Sequence, residues 1–319
     1  MIRFILRRLA IIPPALLVVH FLGFSYAHLV RPLRAFRNPF LAAVTQPEPL
    51  IPTYSAYIRG VLHGDFGIMP GATMGKFLVS ALLEAGLASG GLLLLALVLS
   101  VIVGLYLGLR AVSSDPPNIT RWLTSLSTLG MATPTFFLGA LYFAAWFLYA
   151  KWTPHGVVLP LPFSGYGWDT HLIVPTLVLM ARPTVQIAQL TSGLLVEELG
   201  KQYVVASRSV GQTWRRIRWR SALRNIFAPI FMVIAGSVRL LVGELIVVEW
   251  LFGWPGLGRL LAQTLIPSGV AYARGVVERV LFLDPPVVAA VVMLFAALFL
   301  FTDLLFSVLA RLYDPRLGV

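Results

Sequence analysis

Residues 203–229, YVVASRSVGQTWRRIRWRSALRNIFAP, form the most polar and most basic run in a chain that is otherwise largely apolar. Arg208, Arg215, Arg216, Arg218, Arg220 and Arg224 stand here between two long hydrophobic segments, so the run is built to meet something outside a bilayer. Its opening has the spacing of a short helix, with Tyr203, Ala206 and Val210 on one face. Gly211 interrupts that pattern, and a second basic helix is expected from about Thr213 into the next apolar span. Helix, glycine turn and helix together make a compact knob suited to docking on a soluble partner.

Composition agrees with a membrane protein. Hydrophobic residues are 58% of the 319 and charged residues 12%, a balance that a soluble domain of this size cannot hide from water. A net charge of +12 raises the question of nucleic acid, but Lys and Arg stand mostly at the ends of apolar runs, where they meet lipid headgroups and cytoplasm, and no nucleic-acid partner is expected. With no cysteine, disulfides and thiolate metal sites are excluded. His20, His28, His63, His155 and His171 are scattered and make no ligand spacing, so no metal or cofactor is expected on this chain.

Arg3, Arg7 and Arg8 precede an apolar run of about 20 residues, long enough to cross a bilayer at about 1.5 Å per residue. A cleavable signal peptide begins in the same way, but this run is too long for one. A first membrane helix over 1–30 is expected, with the N-terminus in the cytoplasm. Residues 31–80 turn polar and proline-rich and read as an external segment with short helices, although Arg31, Arg34, Arg37, Arg59 and Lys76 run against the usual charge asymmetry. Further spans are expected at about 81–109, 127–150, 172–196, 223–248 and 287–309, with Pro134, Pro175 and Pro183 within or at the ends of them. The expected fold is therefore all-α and polytopic, with six transmembrane helices and both termini in the cytoplasm. Its core covers residues 81–311, with a cytoplasmic loop at 197–222, an external loop at 249–286 and a cytoplasmic tail at 312–319.

Several short elements then share one order. HGDFG at 63–67, GLYLGLRAV at 104–112, ATPTFFLG at 132–139, Glu197 and Tyr203, ASRSVG at 206–211, ALRN at 222–225, EWLFGWPGLGRLL at 249–261, DPPVV at 284–288 and DPR at 314–316 follow one another nearly end to end. The set resembles the permease subunits of binding-protein-dependent ABC importers, in the dipeptide, oligopeptide and nickel branch. That resemblance implies the type I importer permease fold in a bacterial or archaeal cytoplasmic membrane. It implies a subunit that pairs with a homologous second permease, docks two cytoplasmic ATPases that carry ATP and Mg, and receives substrate from an external binding protein. It also implies that Tyr203, Ala206, Ser207, Arg208, Gly211 and Arg215 couple the chain to an ATPase.

The residues add support on one point. The nearest string to a phosphate-binding loop, PGATMGKF at 70–77, has Pro70 where the first glycine is needed and Phe77 where Ser or Thr is needed, so energy must come from another chain. There are also departures from the family pattern. Ser207, Ser209 and Val210 replace Ala, Ala and Lys, Gln189 and Ser192 stand where arginines are common, and Asp303 and Ser307 replace Asn and Asp. About seventeen extra residues occupy 266–283.

Arg182 falls about eleven residues into the fourth span, near mid-bilayer, where an arginine costs at least about 2.5–3.5 kcal/mol unless it faces water or a partner. With Arg239 and Glu244, which are one residue too far apart for an ideal i,i+4 pair, it is expected to face the translocation pathway, or else a partner permease. Glu249 through Gly258 reads as a turn after the fifth span, an external gate or docking surface in which Pro255 fixes one dihedral and Gly256 and Gly258 permit close packing or positive φ. Trp250 and Trp254 are expected in the headgroup belt. The rival classes ask for other patterns. A secondary transporter acting alone would show an internal repeat and paired mid-span carboxylates, whereas no repeat is apparent and Asp303 is the carboxylate expected within a helix core. A membrane-embedded enzyme would cluster His, Asp or Glu at one depth, and no such cluster is seen. The cargo is expected to be a di- or oligopeptide, with nickel, opine or oligosaccharide as alternatives.

Overall fold

The computed structural model describes residues 2–35, 48–68, 77–113, 117–153, 161–266 and 281–313. The described residues are helical, with two isolated β-bridges and no strand. Five helices are long and apolar enough to cross a membrane, and a sixth crossing is reached if one sharply bent pair counts as a single span. The chain divides into two compact units, residues 1–90 with 253–300 and residues 91–252 with 301–319.

In the first unit, α1 covers Ile2–Ala35 and carries Pro13, Pro14 and Pro32 without breaking. The first helix therefore runs past residue 30, where an external segment was expected to begin. Arg31 and Arg34 are helical residues, and Arg31 lies 4.0 Å from Asp284. Helix α2, Leu50–Leu62, packs aromatic side chains against α1. His20 stacks on Tyr57 at 5.8 Å with a 3° interplanar angle, and Phe24 meets Tyr54 edge-on at 5.1 Å. Burial, with Asp284 nearby, pushes the Tyr57 phenol up to about 12, so it stays neutral. Helix α3, Leu78–Arg110, starts in this unit and continues into the second.

The second unit holds the rest of α3, then α4 (Arg121–Ala132), α5 (Thr135–Trp152), α6 (Ile173–Leu199), α7 (Gln202–Ser209) and α8 (Leu223–Phe252). Here α6 lies along α8, with Leu179, Ile187, Leu195, Leu241 and Leu245 buried. Gly104 and Gly108 let α3 approach α6 closely. A Cβ at Gly104 would stand 2.8 Å from the Thr184 carbonyl oxygen, and one at Gly108 would stand 2.6 Å from that of Ala188. Such contacts substitute for the hydrophobic drive that is missing between helices in lipid.

The expected third span, 127–150, is not one continuous helix. It breaks at Thr133 and Pro134, and the two halves meet at 90°. Pro134 disfavours the helical region for the residue before it, and Thr133 is accordingly extended at φ −85°, ψ 116°. Only α5, 18 residues long, remains of that span as a straight apolar helix.

The remaining helices are α9, Leu257–Leu265, in the first unit, and α10, Pro285–Tyr313, which begins in the first and ends in the second. Most of the insert at 266–283, the 314–316 tail motif and residues 70–76 of the loop-like string lie outside the described residues.

Candidate functional site

The basic run folds as a short helix, a left-handed turn and a second helical stretch. Helix α7 ends where Gly211 adopts φ +81°, a conformation that disfavours any side chain. The chain then re-enters a helix at Thr213, whose Oγ1 accepts a hydrogen bond from the Arg216 amide at 3.4 Å. One turn, Trp214–Arg216, leads into a π-helical turn at Ile217–Ala222 and so into α8. The Arg208 guanidinium lies 4.8 Å over the Trp214 ring and ties the two arms of the knob together.

Buried apolar residues hold the knob against the ends of its neighbouring spans. Val204 from α7 and Ile217 from the π turn join Leu195, Leu199, Ala222 and Ile226 in one cluster. On the outside, Ala206, Arg208 and Gly211 are exposed, and Val205 and Val210 are 68% and 75% exposed. Tyr203 and Ser207 are half-buried, and Arg215 lies exposed beyond the turn.

A residue that the sequence reading passed over anchors this arrangement. Glu198, in the last turn of α6 and only 4% exposed, accepts hydrogen bonds from Lys201 Nζ at 2.5 Å, Tyr203 OH at 2.9 Å and Asn225 Nδ2 at 2.7 Å. One carboxylate thus joins α6, α7 and the first turn of α8. Its hydrogen bond raises the Lys201 ammonium above its usual range. Burial together with Glu198 pushes the Tyr203 phenol up to about 12. The sequence signal for it is a pair of adjacent glutamates at a helix end, Glu197 and Glu198.

The intramembrane charges pair differently from expectation. Arg182 on α6 forms an ion pair with Glu244 on α8, whose other carboxylate oxygen accepts from Thr135. Arg182 also donates to the Met131 carbonyl at 3.4 Å. Met131 and Thr135 flank the break between α4 and α5, so these polar groups brace the bend, and the Arg182 side chain is only 25% exposed. Arg239 is not part of this group. Its guanidinium reaches Asp303 on α10 at 3.2 Å, and its side chain is 61% exposed. Helix cores therefore hold Glu244 and Asp303 alike, each paired with an arginine rather than with the other.

The expected gate also needs correction. Glu249 is inside α8 and fully buried, because the helix continues to Phe252. The turn that follows, in the first unit, covers only 253–256. Its positive φ lies at Gly253 (+70°), while Gly256 is extended and Gly258 is already within α9. Pro255 is exposed at its tip. Trp254 is not a headgroup-belt residue. It is fully buried and donates Nε1–H to the Ala88 carbonyl at 3.0 Å, and the Leu257 amide donates to Ser89 Oγ at 2.8 Å. Trp250, on α8, is 53% exposed. Among the described residues no cluster of three His, Asp or Glu could hold a metal ion.

Comparison with known proteins gives this geometry its context. The dipeptide transport system permease protein DppB of Escherichia coli (strain K12) is 27% identical over 357 aligned positions, covering 99% of each chain. The glutathione transport system permease protein GsiC of Salmonella typhimurium is 29% identical over 331 positions, again with 99% of each covered. The oligopeptide transport system permease protein AppB of Bacillus subtilis is 24% identical over 289 positions, with 89% of this chain and 85% of that protein covered. Residues 100–318, which include α4 to α8 and the whole arginine-rich knob, match the family described as the binding-protein-dependent transport system inner membrane component, and the chain belongs to that family.

Proposed function

We propose that this chain is one membrane half of an ATP-driven importer of di- or oligopeptides in a bacterial or archaeal cytoplasmic membrane, and that it carries out no bond chemistry of its own. It works beside a second, homologous permease, with two ATPases gripping the pair from the cytoplasm and an external binding protein delivering cargo. One observation carries this reading. A glycine-hinged helix, α7, presents exposed Val205, Ala206 and Val210 outside the spans while Glu198, Val204 and Ile217 fasten it to α6 and α8. A surface that is apolar at its tip and rigid at its base is what a motor in another chain needs in order to move two helices together. Tyr203, Ala206, Ser207, Arg208 and Gly211 form that contact. Peptide cargo is supported by the names of the relatives, and mass spectrometry of what the partner binding protein retains on purification tests it. A retained metal complex or sugar would replace peptide as the cargo.

Gly211→Pro tests the coupling role. Proline cannot adopt a φ of +81°, so the turn must open. Uptake is expected to fall to background with the subunit still inserted in the membrane. Normal uptake would refute the docking role.

The pathway is proposed to run beside Arg239. A guanidinium 61% exposed on a spanning helix would cost at least about 2.5–3.5 kcal/mol facing lipid, which favours a face turned to water or to the second permease. Arg182 and Glu244 shape that pathway by holding the bend. Arg239→Met is expected to alter uptake kinetics by about tenfold while the melting temperature in detergent stays within a few degrees. Unchanged kinetics would leave Arg239 with only its contact to Asp303. The turn at 253–256 and α9 are proposed as the external surface that meets the binding protein.

A further inference from the structure

Thr213, Arg215, Arg216, Trp219 and Arg220 line an open cleft of about 540 Å³ on the second arm of the knob. The lining holds three guanidiniums and no carboxylate. Neighbouring arginines are committed elsewhere, Arg208 to the Trp214 ring and Arg218 to the Leu109 carbonyl at the end of α3. Arg215, Arg216 and Arg220 are exposed and form no ion pair among the described residues.

Backbone geometry gathers them. In a regular α-helix, residues five apart point about 140° away from one another. The π turn at Ile217–Ala222, in which the Leu223 amide donates to the Arg218 carbonyl, widens the helix and brings Arg215 and Arg220 to one side. Trp219, 55% exposed, completes the wall with an indole that is apolar on its faces and can donate from its edge.

Position decides the ligand. The cleft lies at the N-terminal end of the helical stretch Trp214–Phe252, which is long and apolar enough to cross a membrane and carries its arginines at this end. An exposed tryptophan beside clustered arginines suits the headgroup level of a bilayer, and guanidinium groups bind phosphate oxygens through paired N–H donors. We propose that Arg215, Arg216, Arg220 and Trp219 form a binding site for the phosphate headgroup of an anionic phospholipid. Arg215, which the family resemblance groups with the ATPase-coupling residues, also lines this cleft. The assignment depends on the membrane placement of Trp214–Phe252 and is independent of the cargo.

The test uses the full-length chain in mixed micelles with phosphatidylglycerol or phosphatidylcholine brominated near the headgroup. The fluorescence difference between wild type and W219F isolates Trp219. Brominated phosphatidylglycerol is expected to quench Trp219 at about tenfold lower mole fraction than brominated phosphatidylcholine. The triple variant R215Q/R216Q/R220Q is expected to erase that preference, and R215K/R216K/R220K, which keeps the charge and guards against a folding defect, to retain most of it. Equal quenching by the two lipids would overturn the proposal, as would relief of the quenching by millimolar inorganic phosphate, which marks a free-anion site. A glutamine variant that keeps its lipid preference but no longer co-purifies with an ATPase would assign the arginines to a protein surface and overturn it as well.

Discussion

Glu198 shows how much a single buried carboxylate can organise. Its oxygens accept from Lys201, Tyr203 and Asn225, so the end of α6, the start of α7 and the first turn of α8 are tied at one point. Alanine at this position removes the acceptor that Lys201, Tyr203 and Asn225 share. Glu198→Ala is expected to cost about 2–4 kcal/mol, read as a lower melting temperature of the purified chain, and to reduce ATP-dependent uptake more than it reduces membrane insertion. If uptake per inserted molecule is unchanged, force does not pass through Glu198. The two intramembrane arginines differ in the same residue-level terms. Arg182 has a carboxylate and a carbonyl within reach and is largely enclosed, whereas Arg239 has Asp303 and an open side. Sequence marked both as costly to place in a bilayer, but only spatial proximity shows that Glu244 lies beside Arg182 and not beside Arg239. A spacing of five residues along one helix is a weak guide to pairing when another helix supplies a nearer partner.

Helices here are set by long apolar runs, and those runs are readable. The spans expected at 81–109, 223–248 and 287–309 fall within α3, α8 and α10, and that at 172–196 matches α6 to within one residue, because twenty consecutive apolar residues have few alternatives. Their ends were harder to place. Glu249 is expected to open the turn after the fifth span, yet the helix runs on to Phe252 and Glu249 is fully buried within it. Pro134 is expected inside the span at 127–150, and it is where the chain turns through a right angle. The break at Pro134 is local, whereas the burial of Glu249 and the bracing of the bend by Arg182 depend on groups from other elements. The glycine spacing at 104 and 108 was legible as a pattern, and its purpose is visible only with α6 in place. Gly108→Leu would push a side chain onto the Ala188 backbone and force α3 away from α6. It is expected to destabilise the chain by about 1–3 kcal/mol in thermal unfolding. A melting temperature equal to wild type would show that α3 and α6 are free to separate at that point.

At the scale of the whole molecule, the arrangement has a sidedness that a clean experiment can read. The chain contains no cysteine, so one introduced thiol is the only thiol to label. Val210→Cys, at the exposed tip of the knob, is expected to react in intact cells with a membrane-permeant maleimide and to resist an impermeant one. Modification by the impermeant reagent would put the knob outside and end the importer reading. The bend at residues 133–134 has a consequence at the same scale. Helix α5 has 18 residues and rises about 27 Å, slightly short of the ordinary thickness of a bilayer's oily layer. Helix α3, at 33 residues, has length to spare and can lean. Acyl-chain length is therefore expected to act on this protein unevenly: a thicker bilayer strains α5 first, and because Thr135 at the start of α5 is tied to the Arg182 and Glu244 pair, the surrounding fat becomes a mechanical input to the bend at residues 133–134.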